Sequence, residues 1–162
     1  MRNQRLFKLV HRASVLIVEP STELRISVAR LFDKSRVRVL AAKCGKDALK
    51  LAPQLVKPSV AIIEYSLPDI SGIEVATHLN TITDCPVILT TSNATPEMVA
   101  EMLDLVAEDV ICKPYETTEL GARVHRLLLR QSHNMSLNFD FGSSKQPRIV
   151  FNGNYFQNII EQ

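Results

Sequence analysis

Glycine is scarce in this chain, tryptophan is absent, and no apolar run is long. The turn after the first apolar run reads Glu19-Pro20-Ser21-Thr22 and holds none of the five Gly, so no glycine-rich loop is present there to cradle a phosphate. With no Trp and 6% aromatics, the usual platform for a flavin ring is missing too. Val15-Leu16-Ile17-Val18 is typical of the longest apolar runs, and a bilayer crossing needs about 20 such residues, which excludes a membrane span. Three cysteines (Cys44, Cys85, Cys112) form an odd set without CxxC spacing, and four His accompany them. This argues against a disulfide framework and a zinc site, and towards the reducing cytoplasm. No signal-peptide core follows the basic start. Acids are missing from the first thirteen residues, which carry Arg2, Arg5, Lys8 and Arg12. The overall charge of +2 thus leaves the remainder at −2. Such an arm suits an acidic partner or nucleic acid, or it is a solvated terminus.

What is present is the balance of a globular protein, 46% hydrophobic and 22% charged, in a length that allows one domain plus appendages. Short β-rich runs at Ser14–Val18, Val37–Ala42, Val60–Tyr65, Val87–Thr91 and Val110–Cys112 alternate with amphipathic stretches. The third and fourth are nearly all apolar, as strands buried on both faces of a parallel sheet must be. The first predicted helix follows Ser21 as N-cap and places Leu24, Val28, Leu31 and Phe32 on one face. The second begins near Lys46 and must stop near Pro53. The third spans about 72–80, and the fourth has Thr95 as cap with Pro96 at its first position. The fifth covers about 118–130 with Leu120, Val124, Leu127 and Leu128 as its buried stripe, and Gly121 weakens it by about 1 kcal/mol relative to Ala. The predicted fold is a doubly wound α/β sandwich: a five-stranded parallel sheet flanked by five helices, of flavodoxin type. In such sheets the chemistry sits at the carboxyl ends of the strands.

Those ends carry Glu19-Pro20, Glu64, Thr91-Ser92 and Lys113-Pro114. A carboxylate, a hydroxyl and an ammonium therefore converge on one edge. With Glu64-Tyr65-Ser66-Leu67-Pro68-Asp69-Ile70-Ser71-Gly72, Pro86-Val87-Ile88-Leu89-Thr90-Thr91 and Lys113-Pro114-Tyr115, residues 13–131 resemble the receiver domain of two-component response regulators, a CheY-like fold. The resemblance implies a phospho-acceptor position at Glu64, the family's two acidic metal-ligand positions at Glu19 and Pro20, a phosphate grip from Thr91 and Lys113, a switch position at Val110, and a cis Lys113-Pro114 bond.

Three of these positions depart from the family pattern. Glu64 stands where an Asp accepts phosphate, and its extra methylene misplaces the carboxylate. Phosphoryl transfer depends on positioning, so a shift of about 1 Å can cost roughly 10²-fold. Pro20 offers Mg²⁺ no side-chain oxygen, and octahedral coordination from Glu19 and Glu64 alone predicts weak or absent binding. Val110 replaces the aromatic ring that reports switching. An ion pair between Glu64 and Lys113 is expected, and the domain reads as an atypical receiver that no longer cycles by phosphorylation and acts through protein contacts, without catalysis. Two other readings stay open. Glu64 could accept phosphate inefficiently within a phosphorelay, or the chain could be a flavodoxin-like nucleotide or flavin binder.

The last predicted helix resembles that of receivers joined to winged-helix transcription factors of the OmpR/PhoB type. There the fourth helix, fifth strand and fifth helix form a dimer face. The resemblance implies a homodimer with Glu108, Asp109, Glu119, Arg123 and Arg130 at that face, Arg123 pairing with Asp109 and Arg130 with Glu108 across a twofold axis. Val99 stands where a basic residue would answer Glu119. A sensor kinase and an effector domain are the other implied partners.

The predicted organisation is a basic arm (1–13), the receiver-like domain (14–131), a polar linker (132–136) and a tail (137–162). In the tail, Leu137, Phe139 and Phe141 alternate with polar residues as in a strand, and residues 149–156 read as a hairpin around Asn152-Gly153. The tail could be the truncated start of an effector, a docking element, or a strand that pairs with a sheet edge of another copy. No helix-turn-helix follows, so DNA binding requires a winged-helix domain that these residues do not contain.

Overall fold

Five of the apolar runs become parallel strands because their side chains are needed on both sides of one sheet. The structure, a computed structural model, describes residues 13–33, 35, 37–54, 58–133 and 149–151. The strands are β1 (Ser14–Val18), β2 (Arg38–Ala42), β3 (Val60–Glu64), β4 (Val87–Thr91) and β5 (Asp109–Cys112). The helices between and after them are α1 (Thr22–Arg30), α2 (Gly45–Leu51), α3 (Gly72–Ile82), α4 (Pro96–Leu105) and α5 (Thr117–His133). Every residue of β1, β3 and β4 is buried. Leu16 and Val18 join one core cluster with Leu51, Val75, Leu79 and Met102. Val15 and Ile17, pointing the other way, join a second with Val28, Phe32, Leu120 and Leu127. Among the described residues, no helix is long and apolar enough to cross a membrane.

Local chemistry sets the helix ends. Ser21 caps α1 by accepting from the Leu24 amide, and Thr95 caps α4 by accepting from Met98, with Pro96 in the first turn. Ser71 and Glu74 form a reciprocal capping box on α3. α2 gives way to a 3₁₀ turn, Ala52–Gln54, at Pro53. The third and fifth helices run slightly longer than the sequence predicts.

Three expectations need correction. The buried face of α1 is Arg25, Val28 and Ala29, with Leu24 37% exposed. Both stripes satisfy helical spacing, and buried carbonyl partners for Arg25 decide between them. The linker cannot begin at 132, because α5 continues to His133. The predicted five parallel strands are present, but the tail strand expected on another copy lies on this chain's own edge: β6 (Ile149–Phe151) runs parallel to β2, pairing Val39 with Ile149 and Ala41 with Phe151, in the order β5-β4-β3-β1-β2-β6. The expected turn at Asn152-Gly153 and its return arm lie outside the described residues, as do the strand predicted at 137–141 and the arm up to residue 12.

Candidate functional site

The carboxyl ends of β1, β3 and β5 bring three charged side chains to one point. Glu19 follows β1, Glu64 ends β3, and Lys113 follows β5, its amide donating to the Thr91 carbonyl at 2.7 Å. Lys113 Nζ lies 2.6 Å from Glu19 Oε2 and 2.5 Å from Glu64 Oε2. Both glutamates are 5% exposed. The ion pair expected for Glu64 is present, and Glu19 shares it.

Burial of this kind requires every oxygen to be satisfied. Glu19 Oε1 accepts from the Ser21 amide at 2.9 Å, and Glu64 Oε1 accepts from the Ser66 amide at 3.1 Å. Thr90 Oγ1 adds a bond to Glu64 Oε2 at 3.2 Å. Burial by itself would lower the Lys113 pKa, but the hydrogen bonds and attraction of Glu19 and Glu64 outweigh it and hold the group above its ordinary value. Arg25 completes the charge balance. It is 8% exposed and donates to the carbonyls of Glu19 and Pro20 at 2.6 and 3.0 Å and to Thr22 Oγ1 at 3.1 Å. Desolvation lowers its pKa, and Glu19 opposes that shift. Two buried anions thus face two cations.

The sequence reading missed Arg25 and Thr90. Arg25 lies three and four residues before Val28 and Ala29 on the buried stripe, a spacing that alone does not single out an arginine for burial. Thr90 follows from register: it pairs with Glu64 across β3 and β4, and paired residues share a face. Thr91, one residue on, therefore points to the other side. Its hydroxyl is 3.5 Å from the Asn93 carbonyl, and its bond is not to Glu64. Val110 sits partly buried against the core cluster that includes Leu89 and Met102. The Lys113-Pro114 bond is cis, as the resemblance implies. The following Tyr115 has its pKa raised, chiefly by burial.

Two further residues position the β3–α3 loop. Asp69 accepts from the amides of Gly45, Lys46 and Ile70 at 2.8–2.9 Å, which fastens the loop to the start of α2 and holds its pKa well below the carboxylate range. The Lys46 bond is the largest cause. A Cβ on Gly72 would stand 2.4 Å from the Glu64 carbonyl oxygen, so only glycine allows α3 this close to the end of β3.

The residues present are a poor fit for Mg²⁺. Pro20 has no oxygen to offer from its side chain, and the Lys113 ammonium takes one oxygen of each remaining carboxylate. Among the described residues no group of three His, Cys, Asp or Glu could hold a metal.

The charged residues of the α4–β5–α5 face pair with one another within the chain. Arg123 Nη1 reaches both oxygens of Asp109 at 2.8 and 3.0 Å, and its Nη2 reaches Glu119 Oε1 at 2.8 Å. Bonds to Asp109 first, then Glu119, raise the Arg123 pKa. Arg130 pairs with Glu108. Both residue pairs expected across a twofold axis are formed here within the one chain described. Glu119 finds in Arg123, one turn along the same helix, the cation that Val99 does not supply.

A doubly wound parallel sheet with carboxylates, a threonine and a cis-Pro-linked lysine at its strand ends defines a CheY-like signalling domain. Residues 15–125 match the response regulator receiver domain family, and the chain belongs to that family. It is 28% identical over 130 residues to the transcriptional regulatory protein AfsQ1 of Streptomyces coelicolor, covering 80% of this chain and 57% of that protein. It is 31% identical to response regulator RppA of Synechocystis over 87% of this chain and 56% of the relative. The chain thus spans little more than half the length of these relatives. A signal receiver domain from Vibrio parahaemolyticus superposes with a TM-score of 0.70 at 27% identity, covering 78% of this chain and 98% of that one.

Proposed function

We propose that this chain is a receiver module that signals without a phosphorylation cycle, its switch pocket held in one state by Glu19, Lys113 and Glu64. The observation that carries this reading is the position of Lys113 Nζ, within 2.6 Å of both carboxylates. The ammonium stands where a divalent cation would have to enter. Glu64 is engaged on both oxygens, by Ser66 on one and by Lys113 and Thr90 on the other, which opposes its use as a phosphoryl acceptor. Mg²⁺ binding is then weak or absent, and the module has no catalytic role of its own. Thr91 is turned away from Glu64, which supports a held state unlike the one a phosphoryl group would create. The test is incubation with acetyl phosphate and Mg²⁺ followed by intact mass measurement. An unchanged mass is expected, and a stoichiometric phosphoryl adduct at Glu64 would overturn the reading.

Output then runs through protein contacts. The resemblance to transcriptional regulators supports a role in transcription regulation, with an effector domain as the partner, a sensor kinase dispensable, and DNA reached only through that effector. Dimerisation through α4, β5 and α5 requires the Arg123–Asp109 and Arg130–Glu108 pairs to exchange between copies, like for like, which costs little at the exposed Arg130–Glu108 pair and more at the part-buried Asp109. Sedimentation velocity of the Arg123→Ala/Arg130→Ala chain tests the face: loss of dimer supports it, and an unchanged dimer rejects it.

A further inference from the structure

Three of the five large hydrophobic residues exposed among the described residues lie at one end of the molecule, opposite the Lys113 pocket. They are Ile82 (53% exposed), Leu103 (44%) and Leu105 (61%). Leu103 and Leu105 line a depression of about 440 Å³ where α3 and α4 end and β4 and β5 begin. Its acidic lining groups are Asp84, Asp104 and Glu108. Arg130 answers Glu108, while Asp104 makes no ion pair among the described residues. The surface is therefore apolar and acidic together. Clustered exposed leucines beside carboxylates mark a surface made to be covered.

The first twelve residues of the chain have the complementary chemistry. Arg2, Arg5, Lys8 and Arg12 alternate with Leu6, Phe7, Leu9 and Val10, and no acid interrupts them. They also enter at the right place. Ser14 opens β1, and because all strands are parallel, the start of β1 lies at the same end of the sheet as the starts of β4 and β5. β1 and β4 are two strands apart, which is roughly 10 Å at the usual strand spacing. Twelve residues reach about 18 Å as a helix and about 40 Å extended. Either form spans the gap.

We infer that the basic, apolar arm of residues 1–12 docks in cis on this depression, its leucines and phenylalanine against Leu103 and Leu105 and its cations against Asp104. The arm would then cover the carboxyl end of α4, and so bear on the α4–β5–α5 face from its edge.

Carbodiimide coupling of the full chain tests this, with the links located by mass spectrometry, alongside hydrogen exchange of segments 80–87 and 103–108. Lys8 should couple to Asp104 in the monomer at a yield independent of protein concentration. Arg2→Glu/Arg5→Glu/Lys8→Glu should speed exchange several-fold in both segments. Asp104→Asn/Leu105→Gln, at exposed positions that leave the melting curve unchanged, should remove most of the Lys8 coupling. Coupling confined to covalent dimers would show that a second copy takes the arm and would overturn docking in cis. Exchange indifferent to the arm's charge would overturn it as well, as would an arm that leaves both segments unprotected and binds short duplex DNA instead.

Discussion

Glu64 Oε2 and Lys113 Nζ stand 2.5 Å apart, joining the end of β3 to the residue after β5, with the two side chains 7% and 14% exposed. Glu19 takes the same ammonium from the other side. Removing one partner from a buried ionic group leaves an uncompensated charge. Lys113→Met should therefore cost about 3–5 kcal/mol of unfolding free energy in urea titrations. Made together with Glu19→Gln and Glu64→Gln, the same change should cost far less, because no buried anion is left unanswered. Equal losses in both backgrounds would show that Lys113 contributes through packing alone.

The alkaline limb of stability should report the same lysine. Its pKa in the fold lies above the ordinary 10.5. The stabilisation it provides is thus complete below about pH 10.5 and disappears as pH rises through the higher folded value. Thermal melts between pH 9 and 12 should fall more steeply for the native chain than for the Lys113→Met/Glu19→Gln/Glu64→Gln chain.

At acid pH the sign reverses, and Asp69 is the group to follow. Its pKa is held below the ordinary 3.8 by three backbone amides. Its contribution is present above that pH and is lost as pH falls through the lower folded value. Asp69→Asn keeps one acceptor oxygen and loses the charge, so it should flatten the acid limb of the melting curve. It should also speed exchange of the Gly45 and Lys46 amides. An acid limb identical to that of the native chain would assign it to other carboxylates.

Two glycines should respond to alanine with opposite signs. At Gly72 the new methyl would meet the Glu64 carbonyl oxygen at 2.4 Å and the Tyr65 Cα at 2.9 Å, and backbone cannot move aside cheaply. A loss of about 2–3 kcal/mol is expected there. At Gly121 the nearest atom is Leu31 Cδ2 at 3.7 Å, an ordinary contact, within helix α5. Gly121→Ala should raise stability by up to about 1 kcal/mol. Chemical denaturation of the two variants checks both directions.

Restoring the missing acids tests whether the held pocket follows from two residues. Glu64→Asp shortens the acceptor, and Pro20→Asp supplies an oxygen donor. The double variant should take up Mg²⁺ and gain a phosphoryl adduct from acetyl phosphate, read by intact mass. If it binds no Mg²⁺, other parts of the pocket, Thr90 first among them, have also changed.

Much of the fold is legible in the sequence because its signals are local. The continuous apolar character of Val60–Glu64 and Val87–Thr91 marks strands buried on both faces, and Ser21, Thr95 and Pro96 mark where helices start. The site is legible in part: the strand ends name Glu19, Glu64 and Lys113. Arg25 was hidden because an arginine on a buried stripe makes sense only once the Glu19 and Pro20 carbonyls are in place to receive it. The role of Thr90 was hidden behind its neighbour, since nothing in Thr90-Thr91 says which hydroxyl faces Glu64 until the β3–β4 register is fixed. That Arg123 pairs with Asp109 inside one chain is not legible in the sequence, because residue types alone cannot tell one chain from two.

By itself the sequence determined the alternation of strands and helices, their caps, and the chemistry gathered at the strand ends, all matters of period and residue type over a few positions. Tertiary structure alone decided that Lys113 would be shared between two carboxylates, that Thr91 would turn from them, and that a sixth strand would lie on β2. Those outcomes depend on distances between residues far apart in the chain, set by how twisted, packed layers settle against one another.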